Sequence, residues 1–308
     1  MKKAWIILAL LTLAAPASGS EYKPIPRLGD HVFVPVMALE EPFINTHIQT
    51  TVSLGNTRNA TVPVIDIEDD TILGTAKADI LLAGIGFKYQ HKVKEWLAAG
   101  VDMDVTGRIG TSTPSLVSEG LTGGLGFRVG WLMSMYRSEK FQLSGSVGLG
   151  NSNNTFINLV NWAEGILEGE DVSLVQSRQS LRGDGGFHAA WSISRRFGLL
   201  GALKFSYGEP LDSQKANSWN HDGRLGLSYD LKFDLGIPLG IALTGGHFEK
   251  FENATTENGI WLWSVRVAVQ SRDDFSLGFD LQTSYLTSVD TGKKHQLGQF
   301  TIDMRYFY

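Results

Sequence analysis

Apart from Phe307, the last nine residues of this 308-residue chain alternate between two kinds of side chain. Every second residue is large and apolar: Phe300, Ile302, Met304, Tyr306 and Tyr308. The intervening residues include Thr301, Asp303 and Arg305. Because a β-strand places alternate side chains on opposite faces, the pattern predicts a strand with one apolar and one polar face.

The first twenty residues are predicted to be a signal peptide that is removed on export. Lys2 and Lys3 precede an apolar run over residues 4–15, and Ala15-Pro16-Ala17 offers a small-residue cleavage site. No later stretch approaches the roughly 18 consecutive apolar residues that a membrane-spanning helix needs. The chain has no Cys, which excludes disulfides and thiolate metal sites. An exported domain of this sequence must therefore be held together by its strands.

The same alternation recurs from residue 46 onward and predicts twelve antiparallel strands. It is clearest in the third strand, where Asp102 and Asp104 lie on the face opposite Met103. Such a strand needs water or ion pairs on one side and an apolar environment on the other. The predicted strands cover residues 46–54, 79–90, 96–108, 124–136, 141–150, 186–194, 197–207, 224–233, 237–247, 260–270, 275–285 and 300–308.

The predicted connections alternate between short and long. The short ones are 91–95, 137–140, 195–196, 234–236 and 271–274. The long ones are 55–78, 109–123, 151–185, 208–223, 248–259 and 286–298. Short turns at one end and long loops at the other are typical of bacterial outer-membrane barrels. With an even number of strands, both ends of the barrel sequence lie at the short-turn end.

The alternating terminal strand with its final aromatic residue resembles the closing strand of Gram-negative outer-membrane β-barrels. By pattern, the resemblance extends along the whole chain after the signal peptide, and it identifies no particular family. It implies that residues 46–308 form an all-β transmembrane antiparallel barrel of about twelve strands in the cell outer membrane, surrounded by outer-membrane lipid. It also implies that the barrel-assembly machinery recognises the terminal signal formed by Phe300, Ile302, Met304, Tyr306 and Tyr308.

Residues 21–45 do not fit the strand pattern. Pro24 and Pro26 remove backbone donors, and the apolar run over residues 31–39 is broken at Pro35. The segment is either a periplasmic tail or a plug folded into the barrel mouth. We expect it to pack against the barrel, because so much apolar surface is costly in water.

One long loop carries a helical pattern. Over residues 155–168, the apolar residues fall at the spacing of one helical stripe, and Asn154 or Thr155 is a plausible N-cap. The stripe needs a partner, so the predicted helix lies on the barrel rim or folds into the lumen. It is either a cap on the surface end or a constriction.

The polar face of the strands carries the candidate lumen residues. They are Lys88, Asp102, Asp104, Arg108, Arg128, Lys204, Arg224, Asp230, Lys232, Arg266, Asp280, Asp303 and Arg305. Basic residues outnumber acidic ones in this set, although the whole chain has a net charge of −5. The set is either a mildly cationic lining that favours anionic or polar solutes, or an ion-paired interior that keeps the wall rigid.

Catalytic and cofactor motifs are not evident. No His-x-Ser pair of the kind found in the outer-membrane phospholipase family occurs, and His188 and Ser192 are too far apart along a strand for a direct hydrogen bond. The sequence indicates no enzyme, no cofactor and no metal site, and nothing basic enough for nucleic acid. It predicts a narrow channel or facilitator for small solutes, with a non-conducting structural or adhesive barrel and a lipid-modifying enzyme as alternatives.

Overall fold

Twelve strands form one closed antiparallel barrel in the computed structural model. The structure describes residues 25–66, 71–110, 121–157, 175–209, 217–250, 256–288 and 294–308. The predicted signal peptide, residues 1–20, lies outside the described residues.

The barrel strands follow one another around the wall in sequence order. A two-stranded hairpin precedes them and consists of β1 (Arg27–Leu28) and β2 (His31–Val32). The barrel strands are β3 (His47–Asp66), β4 (Thr71–Lys94), β5 (Leu97–Gly110), β6 (Leu121–Arg137), β7 (Phe141–Ile157), β8 (Val175–Ser192), β9 (Phe197–Gly208), β10 (Ser218–Asp230), β11 (Leu239–Lys250), β12 (Thr256–Arg272), β13 (Phe275–Ser288) and β14 (Lys294–Phe307). A short helix, α1 (Lys232–Leu235), connects β10 to β11.

The last strand closes the barrel against the first. β14 pairs with β3 from Leu297↔Thr57 to Phe307↔His47, and the backbone N–H of Tyr308 donates to the carbonyl of Thr46 at 3.1 Å. Closure satisfies the backbone groups that a free sheet edge would leave unpaired. The predicted all-β antiparallel barrel of twelve strands is confirmed.

The strands are longer than the sequence indicated. β3 continues to Asp66 and β4 begins at Thr71, so most of the predicted loop 55–78 is paired strand. The connections at this end, called here the long-loop end, shrink to 67–70, 111–120, 158–174, 209–217, 251–255 and 289–293. Backbone pairing between neighbouring strands continues beyond the stretch in which one face is apolar. The alternation of side chains does not reveal these outer parts of the strands.

Two other predictions need correction. Thr155 to Ile157 belong to β7 rather than to a helix, and the rest of the predicted helix 155–168 lies outside the described residues. Lys232 is not a lumen residue, because β10 ends at Asp230 and Lys232 is exposed in α1. Gly236, at φ 67°, ends α1 by donating its N–H to the Lys232 carbonyl at 3.0 Å.

The two faces of the wall differ sharply in exposure. Outward residues such as Ile85 and Leu225 are each 65% exposed, whereas the inward Ser228 is fully buried. Outward aromatic side chains lie near both ends of the strands. Near the short-turn end they are Trp131, Tyr136, Trp191, Tyr306 and Tyr308, and near the long-loop end they are Tyr207, Trp219, Trp261, Trp263 and Tyr285. Within the described ranges, no helix has the length and apolar character needed to cross a membrane.

Candidate functional site: the barrel interior

Residues 25–45, called here the N-terminal segment, lie inside the short-turn half of the barrel. Phe33, Val34 and Val36 are almost fully buried and pack with Leu200 and Ala242 of the wall. These contacts remove apolar surface from water, which stabilises the segment inside the lumen.

Two inward glycines leave room for this packing. A Cβ built on Gly198 would overlap the rings of His31 and Phe33, and one built on Gly240 would overlap Cγ2 of Val34. A strand glycine often marks the close approach of another part of the chain. With the native residues opposite them, any larger side chain at either position would displace the segment.

Hydrogen bonds from the wall hold the early part of the segment. The Ser228 hydroxyl accepts from the N–H of Val34 at 3.0 Å and lies 3.2 Å from Nε2 of His31. Nε2 of Gln270 donates to the Phe33 carbonyl at 2.9 Å. Buried backbone groups of this irregular stretch therefore find partners on the wall, as burial requires.

The later part of the segment is held in the same way. The Pro42 carbonyl accepts from Nε2 of Gln142 and from the hydroxyl of Ser144, each at 2.6 Å. Nε2 of Gln90 donates to the carbonyls of Phe43 at 2.9 Å and Asn45 at 3.0 Å. The segment is therefore anchored on both sides of its innermost turn.

The innermost turn, residues 37–41, reaches a cluster of charges on β4, β5, β6, β8 and β9. Arg128 is the centre of this cluster. Its Nε and Nη2 donate to both oxygens of Asp184 at 2.8 and 2.7 Å, and its Nη1 donates to Asp102 at 3.2 Å. Lys204 lies 3.2 Å from Asp184, and Lys88 lies 3.9 Å from Asp102.

Glu40 connects the N-terminal segment to this cluster. Its carboxylate lies 3.6 Å from Nη1 of Arg128 and 3.9 Å from Nε2 of His188. Burial alone would raise the pKa of Glu40, but Lys88, Arg128, His188 and Lys204 outweigh it and lower the pKa to about 2. The carboxylate is therefore ionised at neutral pH and attracted to the basic wall.

Two further arginines hold the same turn. Nη1 of Arg305 lies 2.9 and 3.0 Å from the two oxygens of Glu41, and its Nη2 donates to Gln49 at 2.9 Å. Arg224 donates to the Ala38 carbonyl and, through Nε, to Asp222 at 2.7 Å. The turn is thus tied to wall strands on different sides of the lumen.

A cavity of about 320 Å³ lies beside this turn. Its walls combine the turn itself with charged side chains of the strands, including Asp104, Lys204 and Asp222. The lining combines charged side chains of both signs with apolar ones such as Met37 and Phe43.

A separate ion cluster lies wholly within the wall. Nη2 of Arg266 on β12 lies 2.5 Å from Oδ1 of Asp303 on β14. Asp280 is on β13, the strand that pairs with both β12 and β14. The side chains of Arg266 and Asp303 are 1% and 0% exposed. Gly278 makes room for the guanidinium, because a Cβ there would overlap it.

The predicted lumen residues therefore fall into distinct places. Lys88, Asp102, Arg128, Lys204, Arg224 and Arg305 surround the N-terminal segment, while Arg266, Asp280 and Asp303 form the buried wall cluster. Asp104 lines the cavity, Arg108 is exposed further along β5, and Asp230 is buried and accepts the Lys232 N–H at 2.9 Å.

The sequence prediction missed four acidic members: Glu40, Glu41, Asp184 and Asp222. Asp184 is on the same face of β8 as His188, and Asp222 is on the same face of β10 as Arg224. Extending both predicted strands would therefore have identified these two residues. No periodic signal marks Glu40 and Glu41, which follow an irregular apolar stretch. These carboxylates offset the basic excess that the sequence indicated.

His188 contacts Ser146, a serine that the sequence analysis did not consider, and not Ser192, which that analysis placed out of reach. Its Nε2 lies 2.8 Å from the Ser146 hydroxyl on the neighbouring strand. The two side chains are 0% and 3% exposed, and Glu40 approaches the same ring nitrogen rather than Nδ1. A nucleophilic serine needs access for substrate and an orienting group on the far nitrogen of its histidine, and this pair shows neither.

No protein-family model matches the chain, and no curated protein sequence matches it either. Solved structures do match. An outer membrane channel from Pseudomonas putida F1 aligns at 10% identity and TM-score 0.55, covering 89% of this chain and 100% of that one. The translocator domain of the autotransporter NalP from Neisseria meningitidis aligns at 11% identity and TM-score 0.53, covering 86% and 88%.

The beta domain of the Bordetella autotransporter BrkA also aligns, at 12% identity and TM-score 0.51, covering 86% of this chain and 100% of that one. Identities this low concern the fold. The chain therefore has the outer-membrane β-barrel fold, and no specific family within it is assigned.

Proposed function

We propose that this protein is an outer-membrane channel for small solutes whose lumen is closed by its own N-terminal segment. One observation carries the proposal: the segment packs inside the short-turn half of the barrel, and its innermost turn borders a cavity of about 320 Å³ that charged side chains line in part. One of the similar structures is described as an outer membrane channel.

The exterior supports placement in the outer membrane. Its apolar rows and the aromatic side chains at both ends match the surface that lipid requires. In this placement the short-turn end and both termini of the barrel face the periplasm. The alternating residues of β14, ending at Tyr308, would be the signal that the assembly machinery recognises.

The mixed charge of the lining favours small polar solutes without strong selection by sign. Arg128, Arg224 and Arg305 are each paired with a carboxylate, so little uncompensated charge faces the cavity. Fields from paired charges cancel over short distances, and pore selectivity depends on the charge that is left. Passage requires that the innermost turn of the segment move away from these arginines.

Conductance in planar bilayers tests the proposal. We expect the full-length protein to give small or rare current steps, and a variant lacking residues 25–45 to give steps several-fold larger, because the short-turn half of the lumen is then empty. Circular dichroism and resistance to denaturation would verify that the deleted form still folds as a barrel.

A matched variant isolates the role of the segment from a general loosening of the barrel. Glu139→Gln changes an exposed carboxylate in the turn after β6 and should conduct like the full-length protein. Absence of current from both the full-length and the deleted form, each shown to be folded and inserted, would overturn the channel proposal in favour of a non-conducting barrel.

A further inference from the structure

An unusual group of ionisable side chains lies on the outward face near the long-loop end. His221 on β10 and His247 and Glu249 on β11 share the outward parity of Leu225 and Leu243, which are 65% and 50% exposed. Elsewhere this face is dominated by apolar and aromatic side chains. Three adjacent imidazole and carboxylate groups there are out of keeping with contact to lipid alone.

The barrel ladder fixes these three side chains close together. His221 is the direct cross-strand partner of Glu249, and His247 lies two residues before Glu249 on the same strand and face. Among the described residues, this is the one group of three or more His, Asp or Glu whose possible ligand atoms all lie within 4.8 Å of one another. Nε2 of His221 and Oε2 of Glu249 are 3.8 Å apart.

We propose that His221, His247 and Glu249 bind one divalent transition-metal ion of the zinc class at the outer rim of the barrel. Two imidazole nitrogens and one carboxylate oxygen suit Zn²⁺, Cu²⁺ or Ni²⁺, whereas Ca²⁺ and Mg²⁺ prefer oxygen ligands throughout. Three protein ligands leave a coordination position for water or an outside group.

The surroundings fit such a site. The side chains of His221 and Glu249 are 23% and 42% exposed, so an ion can enter from outside the barrel. The ring of Trp261 lies 4.6 Å from that of His247 and restricts its movement. Because both strands are held by neighbours, little ordering is needed when the ion binds, and the metal would link β10 to β11 beyond their backbone hydrogen bonds.

Calorimetric titration of the folded full-length protein in detergent, purified without a histidine tag, tests the proposal. Zn²⁺ should bind at one equivalent. Each of His221→Asn, His247→Asn and Glu249→Gln should weaken binding at least about tenfold, since even changes behind a metal ligand cost that much. Bound Co²⁺ should give visible absorption bands that all three variants lose, whereas Mg²⁺ should not compete.

His91→Asn is the matched control, because His91 also lies on an outward row but at the opposite end of the barrel. It should bind Zn²⁺ like the unchanged protein. The proposal is overturned if the unchanged protein binds no Zn²⁺ or if His91→Asn removes the binding. It is also overturned if the variant that carries all three substitutions binds Zn²⁺ as tightly as the unchanged protein does.

Discussion

Two arginine clusters in the same barrel interior have different structural roles. The Arg266 cluster is buried, lies entirely on neighbouring wall strands and has an arginine side chain that is 1% exposed. The Arg128 cluster borders the cavity, has an arginine side chain that is 18% exposed, and includes Glu40 of the N-terminal segment. The first cluster joins strand to strand, and the second joins wall to segment.

This difference indicates which charged side chains can separate from their partners. Separating the partners of a fully buried pair leaves a charge in a low-dielectric environment, so the Arg266 cluster resists change. In the Arg128 cluster water can replace a lost partner, and Arg128 keeps Asp184 and Asp102 when Glu40 leaves. We therefore expect the first cluster to govern barrel stability and the second to govern the position of the segment.

The largest expected effect is at Arg266. Arg266→Ala should lower the free energy of unfolding by about 3–5 kcal/mol, because Asp303 and Asp280 are left buried without their cation. Urea unfolding of the detergent-folded barrel measures it. Replacing Arg266, Asp280 and Asp303 together by Met, Leu and Leu should restore most of the loss, and a loss below about 1 kcal/mol for Arg266→Ala would remove the contrast between the clusters.

The next effect is at Arg128. Arg128→Ala should lower the free energy of unfolding by about 1.5–3 kcal/mol, as expected for charged hydrogen bonds that water partly replaces. The same urea series measures it. A loss equal to that of Arg266→Ala would show that exposure to the cavity makes no difference to these arginines.

Glu40 should affect the segment far more than the barrel. In Glu40→Gln, the unfolding free energy of the barrel should change less than in Arg128→Ala, while a cysteine introduced at Met37 should react several-fold faster with a water-soluble thiol reagent. The chain has no natural Cys, so this thiol is the sole target. Glu139→Gln is the control, and an unchanged labelling rate in Glu40→Gln would mean that Glu40 does not hold the turn.

The smallest expected effect is the pH dependence of labelling at position 37. The pKa of Glu40 is about 2 in the folded protein against 4.5 for the free side chain. Since the folded value is the lower one, the contribution of Glu40 is complete above about pH 4.5 and is lost as the pH falls toward 2. The labelling rate at position 37, divided by that of a free thiol at the same pH to remove the loss of thiolate, should therefore stay constant from pH 7 to 5 and rise below it, and Glu40→Gln should lack that component of the rise.

The exterior of the barrel could be predicted from sequence because an apolar outer face imposes a period of two on every strand. The twelve strands follow from that period, and the closing role of Phe300 to Tyr308 was implied by the resemblance to outer-membrane barrels. It does not mark where pairing ends, so Asp184 and Asp222 were assigned to loops. At Lys232 the alternation of Leu231 and Phe233 resembled strand, while Gly236 completes a helical turn.

Contacts across the barrel could not be predicted in the same way. The contact between Glu40 and Arg128 depends on the path of an irregular segment. The contact between His221 and His247 depends on strand register. Neither leaves a local pattern in the sequence. The inward glycines were the one indirect sign, since Gly198 and Gly240 leave space where the segment packs.

A reversible disulfide tests most directly whether the N-terminal segment closes the lumen. Because a Cβ at Gly240 would overlap Cγ2 of Val34, cysteines at positions 34 and 240 lie within disulfide reach. The control is Val34→Cys alone. We predict that the oxidised double variant gives no current steps in planar bilayers and that reduction restores the level of the control. Equal conductance of the oxidised and reduced forms, with the crosslink verified, would contradict closure by the segment.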